Sequence, residues 1–367
     1  MKLENNFISP SQLFYLVCCF LVGTSIVISP GGMAGNTAWL AVVAGLAEGL
    51  ILLALYISLA SRYSGKTLIA INDMVFGPYV GKLFSLAYLL FFFHIGAEIL
   101  RTFGEFFRLI MVATPLPVLI IGMLLITALA LKNGIEVIAR CSQILLLIIL
   151  VVFTIDFILL LKDFNITNFL PFMDVPINKF ILASHSVAVL PFGEAIVFLM
   201  IIAFVNQPGR AGQVMGKAFL LAAILLSLSA VRAIAVLGPV ATISTFPAYA
   251  TVRIISIANI LTRLEIIPAS VFLFMGFIKF TVFYYVTVMG ISEMLKMRSY
   301  QPLVLPVGAL LGIISLLLYD QYIYDLIDAS ILFPFYSIFF VFLLPLITLI
   351  VSIIRKNKYT QEVNSAG

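Results

Sequence analysis

Charge is scarce in this chain. Only 10% of its 367 residues are Asp, Glu, Lys or Arg, against about 25% in soluble domains. Cysteine is limited to three residues, histidine to two and tryptophan to one. Cys18 and Cys19 are adjacent and cannot easily bridge each other, and with Cys141 they lie in apolar stretches. That excludes a disulfide framework, and no metal-ligand spacing is present. There is no phosphate-cradling lysine loop, no strand-borne GxSxG, no HExxH and no EF-hand pattern, so neither an enzyme nor an ATP-driven pump is expected, and no cofactor. What fills the chain instead is apolar. The hydrophobic fraction is 63% and the mean hydropathy +1.20. No soluble fold can bury that much apolar surface. The composition predicts an all-α integral membrane protein in the lipid bilayer. The net charge of +5 belongs to its loops and does not point to nucleic acid.

About 20 mostly apolar residues cross a bilayer as helix. Ten runs qualify, at roughly 10–30, 37–61, 80–107, 116–132, 136–162, 179–205, 212–237, 267–296, 302–319 and 331–355. Turn chemistry separates them, as at Pro30-Gly31-Gly32, Gly77-Pro78, Asn133-Gly134 and Pro208-Gly209. One set of loops and ends holds Lys2, Arg62, Lys66, Lys82, Lys132, Arg140, Arg210, Lys217, Lys296, Arg298, Arg355, Lys356 and Lys358. The other set holds Asp163, Asp174, Asp320, Asp325 and Asp328. The positive-inside rule then predicts both termini in the cytoplasm. A short surface helix is expected within 66–76, and an amphipathic stretch from Tyr249 to Leu261 at the membrane interface. The whole of 1–367 reads as a single polytopic domain. Its halves fall at about 10–162 and 179–355, followed by a polar tail at 356–367.

The first span carries Gly23-Thr24-Ser25 near its middle, and the sixth carries Pro191-Phe192-Gly193-Glu194. Pro191 removes a backbone hydrogen bond, and Gly193 lowers the cost of unwinding. Interrupted helices at matching positions of two halves point to a transporter-type midplane site. Glycine packing and a plain proline kink are the simpler alternatives. On the third span, His94, Glu98, Arg101, Glu105 and Arg108 share one helical face. Either Glu98–Arg101 and Glu105–Arg108 neutralise each other at i,i+3, or the stripe lines a wet pathway. Lys279 in the eighth span lies fourteen residues from both Glu265 and Glu293. That is roughly 21 Å along a helix, too far to snorkel. It needs a carboxylate, a cavity or a lowered pKa, with Glu98 or Glu194 the natural partner by depth and Glu48 an alternative. Asp156 is expected to reach the interface, and His185 is ambiguous in the same way.

These features, taken in order, resemble a known family. A first helix ending Ser29-Pro30-Gly31-Gly32, Ala38-Trp39-Leu40 opening the second, Ala113-Thr114-Pro115, the 191–194 break and Arg263-Leu264-Glu265 before a Lys-bearing eighth span are similar to the B subunits of bacterial spore germinant receptors, the endospore germination permeases. The resemblance implies the fold of the amino acid–polyamine–organocation transporters, with two inverted five-helix repeats and broken first and sixth helices. It also implies receptor A and C subunits as partners, the inner membrane of the bacterial spore as location, and an amino acid, sugar or nucleoside germinant as ligand. Carried over by position, the pocket comprises Gly23, Thr24, Ser25, Phe91, His94, Glu98, Pro191, Phe192, Gly193, Glu194 and Lys279. Ser25 stands where the wider transporter pattern prefers a second glycine. A proton-coupled amino-acid permease is the rival reading, and a purely structural membrane subunit the more distant one.

Overall fold

The computed structural model describes residues 7–29, 31–253, 266–319 and 331–365, with backbone only at 266–267 and 356–365. Lys2, Pro30, the Arg263-Leu264-Glu265 motif, Asp320, Asp325 and Asp328 lie outside the described residues, as do the side chains of Lys356 and Lys358.

The apolar runs form helices. The first span is split into α1 (Pro10–Val22) and α2 (Ser25–Ile28); α3 (Ala38–Arg62), α4 (Leu68–Phe76), α5 (Val80–Ile110), α6 (Leu116–Lys132) and α7 (Ile135–Leu160) follow. The sixth span opens with α8 (Ile177–Val187), passes a π-helical turn at Ala188–Phe192 and continues as a tight 3-10 segment over Gly193–Met200. Then come α9 (Ala211–Leu237), the short α10 (Val240–Ile243) and α11 (Pro247–Arg253), α12 (Ile266–Met294), α13 (Gln301–Leu317), α14 (Phe333–Ile338) and α15 (Leu344–Ser365). Among the described residues, eight helical stretches are long and apolar enough to cross a membrane. The remaining two expected runs form the 17-residue apolar helices α6 and α13.

Local chemistry sets the helix ends. Ser9 closes a capping box at α1: its Oγ accepts from Gln12 N at 3.1 Å and its own N–H donates to Gln12 Oε1 at 2.8 Å. Pro10 then opens the helix, where a missing N–H costs nothing. At the other end, Gly23 adopts φ +28°, a conformation that side chains resist, and the helix stops. Leu190 leaves helical geometry (φ −123°, ψ 106°), which divides the sixth span one residue before Pro191.

Two expectations change. The 66–76 stretch does contain a helix, α4. However, it buries Leu68, Ile69, Ile71, Asn72 and Val75 against α5 and α15 and does not rest on a surface. Likewise α11 turns Tyr249, Thr251 and Val252 inward against α9, α2, α7 and α12. The described part of that stretch, 249–253, therefore lies inside the bundle, and 254–261 lie outside the described residues. The reason is the same in both cases: an apolar face gains more from packing on neighbouring helices that hold its polar groups than from half-immersion in headgroups.

Candidate functional site

The two helix breaks meet. α1 packs on α12, where Lys279 sits, and Gly23 lies so close to it that a Cβ there would come within 2.5 Å of Lys279 Cδ. Lys279 Nζ is 2.6 Å from Glu194 Oε2, and both side chains are 1% exposed. The lysine also lies 5.7 Å from the centre of the Phe20 ring. Of the partners open to Lys279 in the sequence, the structure selects Glu194. A buried lysine is costly alone, and the carboxylate next to the sixth-span break neutralises it.

Around this pair is a cavity of about 410 Å³. Thr24 and Ser25 from the first break, Glu98 and Thr102 from α5, Leu190 and Glu194 from the sixth span, and Lys279 from α12 form its inner wall. It extends past Ser29 and Met33 to Thr242–Thr245, between α10 and α11. The volume falls within the ~300–1,000 Å³ of small-molecule sites. Ser25 is 1% exposed, and its hydroxyl has no hydrogen-bond partner among the described residues.

Other expected residues shape the site without lining it. Gly23 supplies the turn. Phe91 stacks on Phe340 at 4.3 Å and 7° and does not line the cavity. His94 Nε2 sits 3.1 Å from Glu98 Oε1 and 3.2 Å from Tyr336 Oη. Phe192 stacks on Phe219. The carbonyl of Gly193, at the start of the segment that follows the break at Leu190, accepts from the Tyr56 hydroxyl at 2.9 Å, and that hydroxyl also lies 2.7 Å from Val341 O. Tyr56 was not foreseen, although a tyrosine deep in an apolar helix signals a buried hydrogen-bond need. Thr102 was also missed; it lies four residues after Glu98, on the same helical face.

The third-span stripe pairs differently from the i,i+3 expectation. Glu98 accepts from Tyr319 Oη at 2.9 Å and does not pair with Arg101. Arg101 turns to Glu105 (Nη2 to Oε1 2.9 Å) and donates to the carbonyls of Ser315 and Leu316 on α13. Glu105 and Arg108 do meet, at 3.6 Å. The i,i+4 geometry wins because it lets Arg101 fill otherwise open carbonyls of a neighbouring helix. Asp156 is also corrected: it is buried and paired with Arg232 of α9 instead of reaching an interface. Glu48, the alternative partner for Lys279, is bound by His185 instead (2.7 Å). A metal site is not formed among the described residues. The cysteines are free thiols.

On the side of the pair away from the cavity, aromatic rings close the bundle. Phe20 packs edge-on against Phe198 at 5.1 Å and contacts Phe283 at 5.3 Å, and Phe92 lies 6.2 Å from Phe283. Further along, Thr67 Oγ1 reaches both oxygens of Glu293 (2.7 and 2.8 Å), tying the start of α4 to the end of α12.

Two broken helices crossing beside a polar cavity near mid-bundle define a transporter-fold membrane protein of the LeuT type. Solved structures agree. The chain superposes on MhsT in complex with L-phenylalanine with a TM-score of 0.66 at 13% identity, over 96% of this chain and 98% of that one. It superposes on Mhp1, a nucleobase-cation-symport-1 family transporter in a closed conformation with bromovinylhydantoin bound, with a TM-score of 0.65 at 14% identity, over 87% and 74%. The sequence makes the assignment finer. The spore germination protein family model matches residues 7–323. The chain is 30% identical to spore germination protein KB of Bacillus subtilis (strain 168) across 97% of both chains. It is 21% identical to spore germination protein YndE of the same organism, over 79% of this chain and 82% of that one. The chain belongs to the spore germination protein family.

Proposed function

We propose that the chain is the membrane subunit of a spore germinant receptor. A small nutrient binds in the cavity at the two helix breaks and biases the bundle between two states, and receptor A and C subunits read the change. The observation that carries this reading is the cavity itself. It is a room of ligand size whose inner wall holds a buried lysine–glutamate pair, a second carboxylate at Glu98 and an unpartnered buried hydroxyl at Ser25. Paired charges with capacity to spare suit a ligand that carries both a donor and an acceptor, such as an amino acid, since each end can bond without leaving an uncompensated charge. Kinship with spore germination protein KB supports the role, and the transporter fold of MhsT and Mhp1 supports the place of binding.

In this reading both termini face the spore core, and the chain lies in the inner membrane of the spore. The cation-rich loops support that orientation. The cavity extends toward the opposite end, at Thr242–Thr245, so nutrient enters from the outer side while the phenylalanine cluster keeps the inner side shut.

A germination screen of single nutrients, in a strain lacking only this gene, tests the role. One nutrient should lose its effect, and Ser25→Val should weaken the response to it about tenfold, the size of a lost hydrogen bond of about 1.4 kcal/mol. An unchanged response to every nutrient would remove the receptor reading. The Lys279–Glu194 pair also supports proton-coupled transport, in which the proton moves on and off the pair with each turnover. Uptake of the same nutrient into proteoliposomes, driven by a pH gradient and lost in Glu194→Gln, would favour the permease; binding without uptake favours the sensor.

A further inference from the structure

Glu48 is out of place for a lipid-facing position. It lies ten residues from Ala38 and fourteen from Arg62 in α3, so about 15 Å and about 21 Å from the helix ends and near the middle of the bilayer. Its side chain is 42% exposed at the outer edge of the bundle. One carboxylate oxygen is held by His185 Nδ1 at 2.7 Å, and His185 Nε2 is 3.3 Å from Pro334 O of α14. No hydrogen bond reaches the other oxygen from the described residues. The surroundings are hydrocarbon-like. On α3 the exposed neighbour is Ile51, one turn further along at 65% exposure, and on α14 Phe335 is exposed. On α8, Ile181 lies one turn before His185, at 61% exposure.

A carboxylate half-open to acyl chains costs several kcal/mol unless a donor covers it. Water does not reach mid-membrane depth at an apolar rim, and a lipid headgroup lies too far away. A polar side chain on another membrane helix meets the need. A two-fold contact centred on Glu48 would bring Glu48 close to Glu48 and oppose like charges across a low-dielectric interface.

We propose that the face built by α3, α8 and α14 around Glu48 docks a transmembrane helix of a different chain, which presents an uncharged or cationic hydrogen-bond donor to the free Glu48 oxygen. Apolar side chains around the carboxylate provide the packing, and the donor sets the register. Intramembrane hydrogen bonds of this kind contribute about 1–2 kcal/mol in model helices.

The test uses the full chain reconstituted in liposomes and two synthetic helices of leucine and alanine, one with a central asparagine and the other with leucine there. Association is read by fluorescence energy transfer. The asparagine helix should associate about tenfold more tightly than the leucine helix, and the preference should vanish in Glu48→Leu but persist in Glu105→Gln, whose carboxylate is engaged elsewhere. Because the two helices are first compared on the wild-type chain, a folding defect in the variant leaves the main comparison intact. Equal association of the two helices with the wild type overturns the proposal. So does rapid labelling of Glu48→Cys by a water-soluble thiol reagent, with Cys18, Cys19 and Cys141 replaced by alanine, because that would make the face aqueous. Self-association of this chain that is lost in Glu48→Leu would make the partner a second copy and also overturn it.

Discussion

A lysine at mid-membrane depth costs about 3 kcal/mol on insertion scales, and Lys279 survives because Glu194 lies 2.6 Å away. Removing one partner of a buried pair should cost about 3–5 kcal/mol, whereas removing both can be nearly neutral. Lys279→Met should therefore lower the protein's thermal midpoint in detergent sharply, and adding Glu194→Gln should recover most of the loss. Adding Glu98→Gln instead should recover nothing, because Glu98 is already engaged by Tyr319 and His94. If neither double variant recovers stability, the pair does not carry the lysine. The same cycle applies to Asp156 and Arg232, buried together behind α2. Asp156→Asn alone should destabilise more than Asp156→Asn with Arg232→Met. Depth in the sequence was enough to show that Lys279 needed a carboxylate, a cavity or a lowered pKa, yet Glu98, Glu194 and Glu48 all stood as candidate carboxylates. Choosing among them takes helix rotation, which a single chain read in one dimension does not contain. Asp156 was misread for a related reason: its distance to Lys162 suggested an interface, and nothing in the sequence showed that Arg232 faces it.

At the scale of elements, both breaks were legible because glycine and proline act on their own backbone. The approach of neighbouring helices was not legible. Gly45 and Gly49 in α3 allow the sixth span to come close: a Cβ on Gly45 would meet Ser184 O at 2.7 Å, and one on Gly49 would meet Phe192 Cβ at 2.6 Å. Their spacing of four is a small-residue packing motif, readable in principle and overlooked beside the charges. Gly49→Leu should push Phe192 and the break away from α3, costing roughly 1–3 kcal/mol as overpacking of a close helix contact. Protein level and thermal midpoint would show it. A Gly49→Leu variant as stable as the parent would mean the contact is loose. At Gly23 the barrier is double, since φ is +28° and Lys279 fills the space. Gly23→Ala should thus disturb the ion pair as well as the turn.

For the molecule as a whole, the sequence supports a cavity between the breaks, and the structure adds a phenylalanine cluster, proposed above as the closure, on the side of the ion pair away from the cavity. Phe20, Phe92, Phe198 and Phe283 come from four different segments, and in the sequence they are four of 32 phenylalanines with nothing to mark them. Phe198→Ala should loosen that closure. The expected result is faster labelling of a Ser25→Cys probe, which leaves the ion pair intact, from the inner side, and labelling unchanged from the parent rate would place the closure elsewhere. The central claim is that a nutrient occupies the cavity, and site-directed labelling of Thr102→Cys tests it most directly. Thr102 lines the cavity wall, while Arg108, whose side chain is 57% exposed, lies on the same helix outside it. In a chain with its native cysteines replaced by alanine, the nutrient identified in the germination screen should slow alkylation of Thr102→Cys. Half-protection should come at the concentration that gives half-maximal germination, and Arg108→Cys should label at an unchanged rate. Equal labelling of Thr102→Cys with and without saturating nutrient would contradict binding in this cavity.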